Sequence, residues 1–265
     1  MTHCHRLIQI TDTHLGRQPG PIRPGYPDSD AQLDTVLAAV RQREARVDRV
    51  LLTGDLAEDP HPEVYARLLD HLRALPGDWP VTALAGNHDE HGILEQTLWP
   101  AGHAVDGHCD LGNWLIVGLN SASPGKVGGY LEPSECARLD TLLAGHPHHW
   151  ALIAVHHPVV PVGSAWMDRI ALENPEDLFA VLDRHPRVRG CLFGHIHQEF
   201  RGTRHGVELL GCPATCIQFT PHADQPERDT RSAGYRVVEL GPEGEIHSHV
   251  ERVATSADIP ETRRA

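Results

Sequence analysis

Five short polar motifs in this sequence carry side chains of the kinds that bind metal ions. Asp, Asn and His supply carboxylate, carbonyl and imidazole ligands, a set that suits manganese, iron or zinc. Each motif directly follows a short apolar segment typical of a buried strand, and open α/β sheets build their sites at such strand ends. The motifs are Asp12-Thr13-His14, Gly54-Asp55, Gly86-Asn87-His88-Asp89, His156-His157-Pro158 and Gly194-His195-Ile196-His197.

The spacing within the motifs favours a pair of metal ions. Asp12 and His14 are two residues apart, so in an extended backbone both side chains point to the same side. His195 and His197 repeat that spacing. Asp55 is the candidate carboxylate for bridging two ions, because the preceding glycine permits a close approach of the backbone. Two ions about 3.5–4 Å apart form a clamp for in-line attack on phosphorus.

Each motif alone has an ordinary structural explanation. A single D-x-H or G-D occurs in many proteins without a metal, H-H-P is more often a loop, and G-N-H-D can be a turn. The chain contains 21 histidines, so their number carries no information. Five such motifs in this order, each after an apolar strand, are hard to obtain by chance, and a metal site is therefore the favoured interpretation.

Strands and helices alternate through the first three quarters of the chain, which indicates an α/β fold. Apolar runs predict strands at Leu7–Ile10, Val50–Leu52, Val81–Leu84, Trp114–Leu119, Leu152–Val155 and Val188–Phe193. Between them, apolar positions recur at helical spacing. We expect Asp30 to cap the first helix, and Pro62, Pro133 and Pro175 to begin three others.

The last third changes to a strand pattern. Turn signals at Arg204-His205-Gly206 and at 241–244 separate short apolar runs, which predicts further strands in a second sheet packed on the first. The domain is expected to span 1–252, with 159–168 and 213–224 as loops over the site. Residues 253–265 read as a loose polar tail.

Composition narrows the function classes. The net charge of −13 disfavours long nucleic acids as partners. No apolar run approaches the roughly 20 residues of a membrane span, and no signal peptide is recognisable, so we expect a cytoplasmic protein without a membrane partner. The six cysteines form no C-x-x-C pair and are expected to be ordinary reduced thiols. Cys212 and Cys216 are weaker metal candidates, because thiolates do not match the O/N ligand set.

The ordered motifs resemble the calcineurin-like metallophosphoesterase family, from Asp12 to His197. A narrower resemblance, to bacterial class III 3′,5′-cyclic-AMP phosphodiesterases and their glycerophosphodiesterase relatives, rests on Gly194–Glu199, Pro213–Phe219, Gly234–Arg236 and Ser164–Asp168. The resemblance implies an α/β fold in which a two-sheet β-sandwich is flanked by helices, with a small C-terminal cap.

The resemblance also implies roles for single residues. One metal ion would be held by Asp12, His14, Asp55 and His197, and the second by Asp55, Asn87, His156 and His195. The ions would be divalent or mixed-valence, with iron and manganese favoured and zinc an alternative. They would activate a hydroxide for attack on phosphorus. His88 would face the substrate phosphate with Asn87, as a catalytic residue beside Asp55. His157 would lie behind the ligands.

Two loop residues are candidates for contact with the organic part of the substrate. Trp166 could pack against it and His222 could donate a hydrogen bond, but a loop anchor or a subunit contact would explain either residue equally well. The loop Gly16–Pro27 departs from the pattern of the cyclic-AMP branch, so selectivity among nucleotides stays open.

The favoured function is hydrolysis of 3′,5′-cyclic AMP to AMP, with a small phosphodiester as the partner. The alternative is a broader phosphodiesterase acting on glycerophosphodiesters or 2′,3′-cyclic nucleotides. A protein phosphatase is disfavoured because Asp55 is followed by Leu56-Ala57-Glu58-Asp59 without the arginine of a D-R-G segment. A nuclease or a non-catalytic module is also disfavoured, since the chain is acidic and every ligand is present. The oligomeric state, a homodimer included, stays open.

Overall fold

The computed structural model describes residues 4–77 and 79–254. Most of the predicted tail at 253–265 therefore lies outside the described residues. Val253, its first residue, is buried, and its backbone N–H donates to the carbonyl of Ala233 at 2.8 Å. No helix in the described part of the chain is long and apolar enough to span a bilayer.

Two mixed sheets dominate the described residues. The first has the strand order β14-β13-β1-β2-β3-β4, in which β1 to β4 are parallel and β13 and β14 are antiparallel to their neighbours. Its strands are β1 (His5–Ile10), β2 (Arg49–Thr53), β3 (Val81–Leu84), β4 (Ala104–Val105), β13 (Gly234–Leu240) and β14 (Ile246–Arg252).

The second sheet has the order β5-β6-β7-β8-β10-β9, with β6, β7, β8 and β10 parallel. Its strands are β5 (His108–Leu111), β6 (Trp114–Leu119), β7 (Trp150–Val155), β8 (Val188–Phe193), β9 (Phe200–Arg204) and β10 (Val207–Gly211). A short antiparallel ribbon of β11 (Gln218–Phe219) and β12 (Arg228–Asp229) lies outside both sheets.

Helices cover the outer faces of both sheets. Alternate side chains of β1 and β2 divide between two cores: Leu7 and Leu51 face the second sheet, whereas Ile8 and Val50 face the helices. The predicted two-sheet sandwich with flanking helices is confirmed. The helices are α1 (Ser29–Arg43), α2 (Pro62–Leu72), α3 (His91–Leu98), α4 (Pro133–Gly145), α5 (Ala165–Asp168) and α6 (Pro175–Leu182), with a 3₁₀ turn at Trp99–Ala101.

The predicted helix starts hold at the three prolines and fail at Asp30. Pro62, Pro133 and Pro175 each lie in the first turn of a helix. The cap of α1 is Asp28, whose carboxylate accepts from the N–H of Ala31. Asp30 is instead drawn to α2, where it accepts from Arg67 Nε at 2.7 Å and lies 2.9 Å from His71 Nε2.

The expectation that the last third forms the second sheet is wrong. Strands β13 and β14 extend the first sheet beside β1, and β9 and β10 extend the second sheet beside β8. Strands β6, β7 and β8 form the centre of the second sheet, although their sequence pattern matches that of β1 to β3. Apolar periodicity reports that a strand is buried and does not report which sheet it joins.

Hydrogen bonds from the second sheet tie the two sheets together at the end remote from the motifs. The indole of Trp114 on β6 is fully buried, and its Nε1–H donates to the carbonyl of Gly241 at 2.8 Å. Asn113 and Trp150 donate to the carbonyl of Pro242 in the same turn between β13 and β14. These three hydrogen bonds therefore hold the turn between β13 and β14 against the second sheet.

We predict that Trp114→Phe lowers the free energy of unfolding by about 2–4 kcal/mol, because it leaves a cavity and removes the indole N–H that donates to the carbonyl of Gly241. Urea unfolding at 25 °C measures this value. The matched control is Trp99→Phe, since Trp99 is 67% exposed; we expect its effect to stay within about 0.5 kcal/mol. Equal effects of the two substitutions would contradict a stabilising role for the contacts of Trp114.

Candidate active site

All five predicted motifs meet at one edge of the sandwich. β1, β2 and β3 of the first sheet and β7 and β8 of the second end at this edge, so the motifs that follow them converge from both sheets. A cavity of about 290 Å³ opens there. Among the predicted ligands, those that line it are His14, Asp55, Asn87, His195 and His197. Asp12 and His156 are fully buried behind them.

One group of side chains centres on His197. Its Nε2 lies 3.4 Å from Asp12 Oδ1 and 3.3 Å from His14 Nε2. His14 Nε2 in turn lies 3.6 Å from Asp55 Oδ2. These four residues, the set implied for the first metal ion, thus direct nitrogen and carboxylate atoms at one small volume.

A second group shares Asp55. His156 Nε2 lies 3.4 Å from the same Asp55 Oδ2, and the rings of His156 and His195 are 5.2 Å apart. Three polar atoms in this group are buried without a hydrogen-bond partner: Asn87 Oδ1, His156 Nε2 and His195 Nε2. Buried polar atoms are ordinarily paired, so three unpaired donor atoms around one carboxylate fit residues that bind a cation.

The chemistry of the donors fits a metal pair. Asp12, Asp55 and His156 have ligand atoms within 4.8 Å of one another, as do His14, Asp55 and His88. Asp55 belongs to both groups, as the prediction of a bridging carboxylate requires. Cys216 joins His14 and His197 in a further group, but its Sγ lies 3.9 Å from Nδ1 of His197, on the side of the ring away from Asp12.

Hydrogen bonds fix which ring nitrogen faces inward in three of the predicted imidazole ligands. The Nδ1 of His156 contacts the carbonyl of Thr53 at 2.7 Å, and the Nδ1 of His197 contacts the carbonyl of Ile217 at 2.8 Å. His14 Nδ1 lies 2.8 Å from Glu58 Oε2. An Nδ1–H that donates to these oxygens leaves Nε2 with a lone pair, the form that binds metals.

The extended geometry expected of the D-x-H and H-x-H motifs is wrong. Asp12, His14, His195 and His197 have φ of +53°, +43°, +67° and +50°, in the left-handed region. Asp55 also has a positive φ of +51°. The side chains still converge, but the chain turns at each of these five residues. Such strain costs of order 1–3 kcal/mol per residue and concentrates at functional sites.

Opposing effects act on the two buried aspartates. Burial raises the pKa of the Asp12 carboxyl, but the nearby imidazoles of His197 and His156 lower it below its ordinary value. Burial likewise raises the pKa of Asp55, and His156 and His14 lower it to well below its usual range. Both groups are therefore carboxylates at neutral pH, as metal ligands must be.

Two residues of the site were missed in the sequence. Glu58 contacts His14 and lies 3.4 Å from His88 Nδ1. Asp89 accepts from the N–H groups of Leu56, Ala57 and Gly86 and so joins the loops after β2 and β3. Their positions in the sequence could have indicated a role in the site, because Glu58 lies three residues after Asp55 and Asp89 is the last residue of G-N-H-D.

The structure separates the two predicted substrate contacts. Trp166 lines the cavity, packs edge-on against Phe219 at 4.9 Å, and has an unpaired, buried Nε1. His222 is exposed and is not among the lining residues; its ring lies against Gly163. His88 lines the cavity with its side chain 37% exposed. Both ring nitrogens of His157 contact oxygens, those of Ser121 and Val127.

Comparison with known proteins identifies the family. Residues 5–199 match the model of the calcineurin-like phosphoesterase family, about three quarters of the chain. This chain belongs to the calcineurin-like phosphoesterases. The family inferred from the motifs is thus confirmed, and with it the prediction of a hydrolase.

Several curated relatives in this family are similar along nearly their whole length. A protein named 3′,5′-cyclic adenosine monophosphate phosphodiesterase CpdA from Pseudomonas aeruginosa is 36% identical, over 93% of this chain and 89% of its own. A 3′,5′-cyclic-nucleotide phosphodiesterase from Nostoc is 37% identical over 97% and 95%. The CpdA of Escherichia coli K12 is 33% identical over 97% and 93%.

Solved structures of more distant phosphoesterases share the fold. A dimetal phosphatase from Danio rerio has a TM-score of 0.64 at 18% identity, covering 94% of this chain and 99% of its own. A purple acid phosphatase from Lupinus luteus has a TM-score of 0.61 at 12% identity, covering 100% and 58%. At these identities the likeness supports the sandwich fold alone.

Gly54 allows the loop after β2 to pack directly against His156 in the phosphoesterase site. Its φ is +96°, and a methyl group there would collide with the imidazole of His156. We predict that Gly54→Ala lowers the free energy of unfolding by about 2 kcal/mol or more. Gly145→Ala is the control, because a methyl group at that helical glycine meets nothing within 4 Å. Urea unfolding in which both variants match the parent protein would refute the packing argument.

Proposed function

We propose that this chain is a metal-dependent phosphodiesterase that hydrolyses 3′,5′-cyclic AMP to AMP. The observation that carries the proposal is the convergence of carboxylate, amide and imidazole donors around Asp55, with three of their atoms unpaired. This arrangement occurs in a chain 33–37% identical to proteins named cyclic-nucleotide phosphodiesterases over more than nine-tenths of its length.

Asp55 is the proposed bridge between two metal ions. Asp12, His14 and His197 complete one ligand set, and Asn87, His156 and His195 complete the other. Two divalent ions at these positions would supply positive charge for an anionic diester and lower the pKa of the attacking water. Iron and manganese suit the donors, and zinc is the alternative.

His88 is the proposed acid. Its ring lies 4.8 Å from that of His14, at the wall of the cavity, and its Nδ1 is 3.4 Å from Glu58 Oε2. An imidazole held with Nδ1 toward this carboxylate presents Nε2 to the cavity. From there it can protonate the alkoxide that leaves when the phosphorus–oxygen bond breaks, a role typically worth 10²–10⁴-fold in rate.

Part of the cavity wall is apolar and suits a small organic group. Trp166, Met167, Ile170 and Phe219 line it with apolar surface. The cavity of about 290 Å³ is of the size that holds a small molecule rather than a polymer. Together with the net charge of −13, this favours a cyclic nucleotide over a long polyanion.

The bridging role of Asp55 is tested by Asp55→Asn. We expect loss of both metal ions and of at least 99% of the turnover, because the amide removes a negative charge shared by both sets. Metal content per chain is measured by elemental analysis. Asp59→Asn, an exposed carboxylate four residues on, should retain metal and rate. Two metal ions and near-normal turnover in Asp55→Asn would disprove the bridge.

His88→Ala should separate chemistry from metal binding. We expect metal content to stay at the parent value and kcat to fall by about 10²–10⁴-fold. His148→Ala, which removes an exposed imidazole far from the cavity, is the control. Loss of metal in His88→Ala would make His88 a ligand, and an unchanged kcat would remove it from the mechanism.

A substrate panel under one metal condition tests the function itself. We expect kcat/KM for 3′,5′-cyclic AMP to exceed that for 2′,3′-cyclic AMP, a glycerophosphodiester and single-stranded DNA. If a glycerophosphodiester or 2′,3′-cyclic AMP exceeds cyclic AMP more than tenfold, about 1.4 kcal/mol in transition-state binding, the broader phosphodiesterase replaces the proposal. Fastest cleavage of DNA would contradict both readings.

A further inference from the structure

Two chain segments far apart in sequence meet at one aromatic ring on the rim of the cavity. The guanidinium carbons of Arg23 and Arg228 each lie 4.7 Å from the centroid of the Tyr26 ring. Arg228 Nη1 also donates to the carbonyl of Gly25 at 2.7 Å. We call Arg23, Tyr26 and Arg228 the Tyr26 clasp. It joins the loop 16–27 to the ribbon of β11 and β12.

The loop is fixed at its base and depends on the clasp at its tip. Arg67 donates to the carbonyl of Gly16, and the N–H of Gly20 donates to Asp30 Oδ2 at 3.2 Å. At the tip, Arg23 Nη2 lies 3.2 Å from Glu58 Oε1, on the inner side of the loop. The tip, which carries Arg23 and Tyr26 into the cavity wall, is therefore held largely by side-chain contacts.

The ribbon is the firmer partner in this contact. Phe219 pairs with Arg228 across the ribbon, and the N–H of Phe219 donates to the carbonyl of His197 at 3.2 Å. The ring of Phe219 packs against Trp166. Since the ribbon is bonded to a proposed metal ligand and packs against Trp166, loosening the clasp frees the loop rather than the ribbon.

We propose that Tyr26, held by Arg23 and Arg228, is a specificity-determining residue that closes the cavity to diesters larger than a cyclic mononucleotide. The inference rests on the proposed phosphodiesterase function. Ile22, Arg23 and Tyr26 of the loop line the cavity, as do Ile217, Phe219 and Pro226 in and beside the ribbon, and the clasp joins these two segments. A diester with a second nucleoside must extend beyond the metal centre, and the loop and the ribbon, joined by the clasp, narrow the space available to it.

The ring of Tyr26, rather than its hydroxyl, makes the clasp. Two cations face the ring within the distance of a cation–π contact, and the ring packs against the cluster of Ala214, Cys216 and Ile217. Within the described residues, the Tyr26 hydroxyl has no hydrogen-bond partner. Tyr26→Phe therefore keeps the clasp, whereas Tyr26→Leu keeps apolar volume and removes the aromatic face.

The test compares kcat/KM for an adenylyl-adenosine dinucleotide with kcat/KM for 3′,5′-cyclic AMP. We expect Tyr26→Leu to raise this ratio about tenfold, a change of about 1.4 kcal/mol in relative transition-state binding. Arg228→Gln should raise the ratio in the same direction and serves as the second variant if Tyr26→Leu does not fold. Tyr26→Phe should keep the parent ratio. Arg201→Gln, which removes an exposed arginine from β9, should also keep it.

Amide hydrogen exchange of 16–27 without substrate gives a readout independent of catalysis. We expect exchange about tenfold faster in Tyr26→Leu and Arg228→Gln than in the parent or Tyr26→Phe, because the clasp limits local opening. Faster exchange with an unchanged ratio would overturn the specificity role, and an unchanged exchange rate would overturn the clasp. If the unmodified protein with metal cleaves neither diester, the proposed function fails and this inference fails with it.

Discussion

Burial of the Asp55 carboxylate is the constraint on which the structure depends. Its side chain is only 3% exposed, and the equally buried Asp12 lies within the same set of imidazoles. Taking an ionised carboxylate out of water is very unfavourable unless a cation or several hydrogen bonds compensate for the lost solvation. The N–H of His88 and the surrounding imidazoles supply part of this compensation. A pair of metal ions would supply the rest and would occupy the unpaired donors.

The sandwich is the scaffold that makes such a site possible. Parallel strands from two sheets end at a common edge, so each strand contributes one motif and no single loop has to carry the whole site. The chain turns sharply at five of the seven proposed ligands, which have positive φ angles: Asp12, His14, Asp55, His195 and His197. Glycines such as Gly54 allow the turns to pack against one another. Strain at the ligands is thus compensated by the extensive apolar cores on both faces of each sheet.

The floor and the rim of the cavity are held in place by different kinds of interaction. The floor consists of residues immediately after buried strands, where hydrogen bonds at Nδ1 orient the rings of His14, His156 and His197. The rim is built from the loop 16–27, the short helix α5 and the ribbon of β11 and β12, which meet through aromatic and cationic side chains. A fixed floor suits a single chemistry, phosphoester hydrolysis. Substitutions in the rim can change the space beside the donors without altering the donors themselves.

The sequence by itself determined the elements and the motifs. Strands β1, β2, β3, β7 and β8 and the helix starts at Pro62, Pro133 and Pro175 follow from signals within a few residues, namely apolar runs and the fixed φ of proline. The convergence of Asp12, Asp55 and His195 followed from their places at strand ends. Tertiary structure decided the rest. Four features depend on partners distant in sequence. They are the sheet that each strand joins, the contact of Asp30 with α2 in place of a cap on α1, the membership of Glu58 and Asp89 in the site, and the position of His222 outside the cavity lining. Local patterns carry no record of such partners, because contacts between distant segments form only when the whole chain has packed.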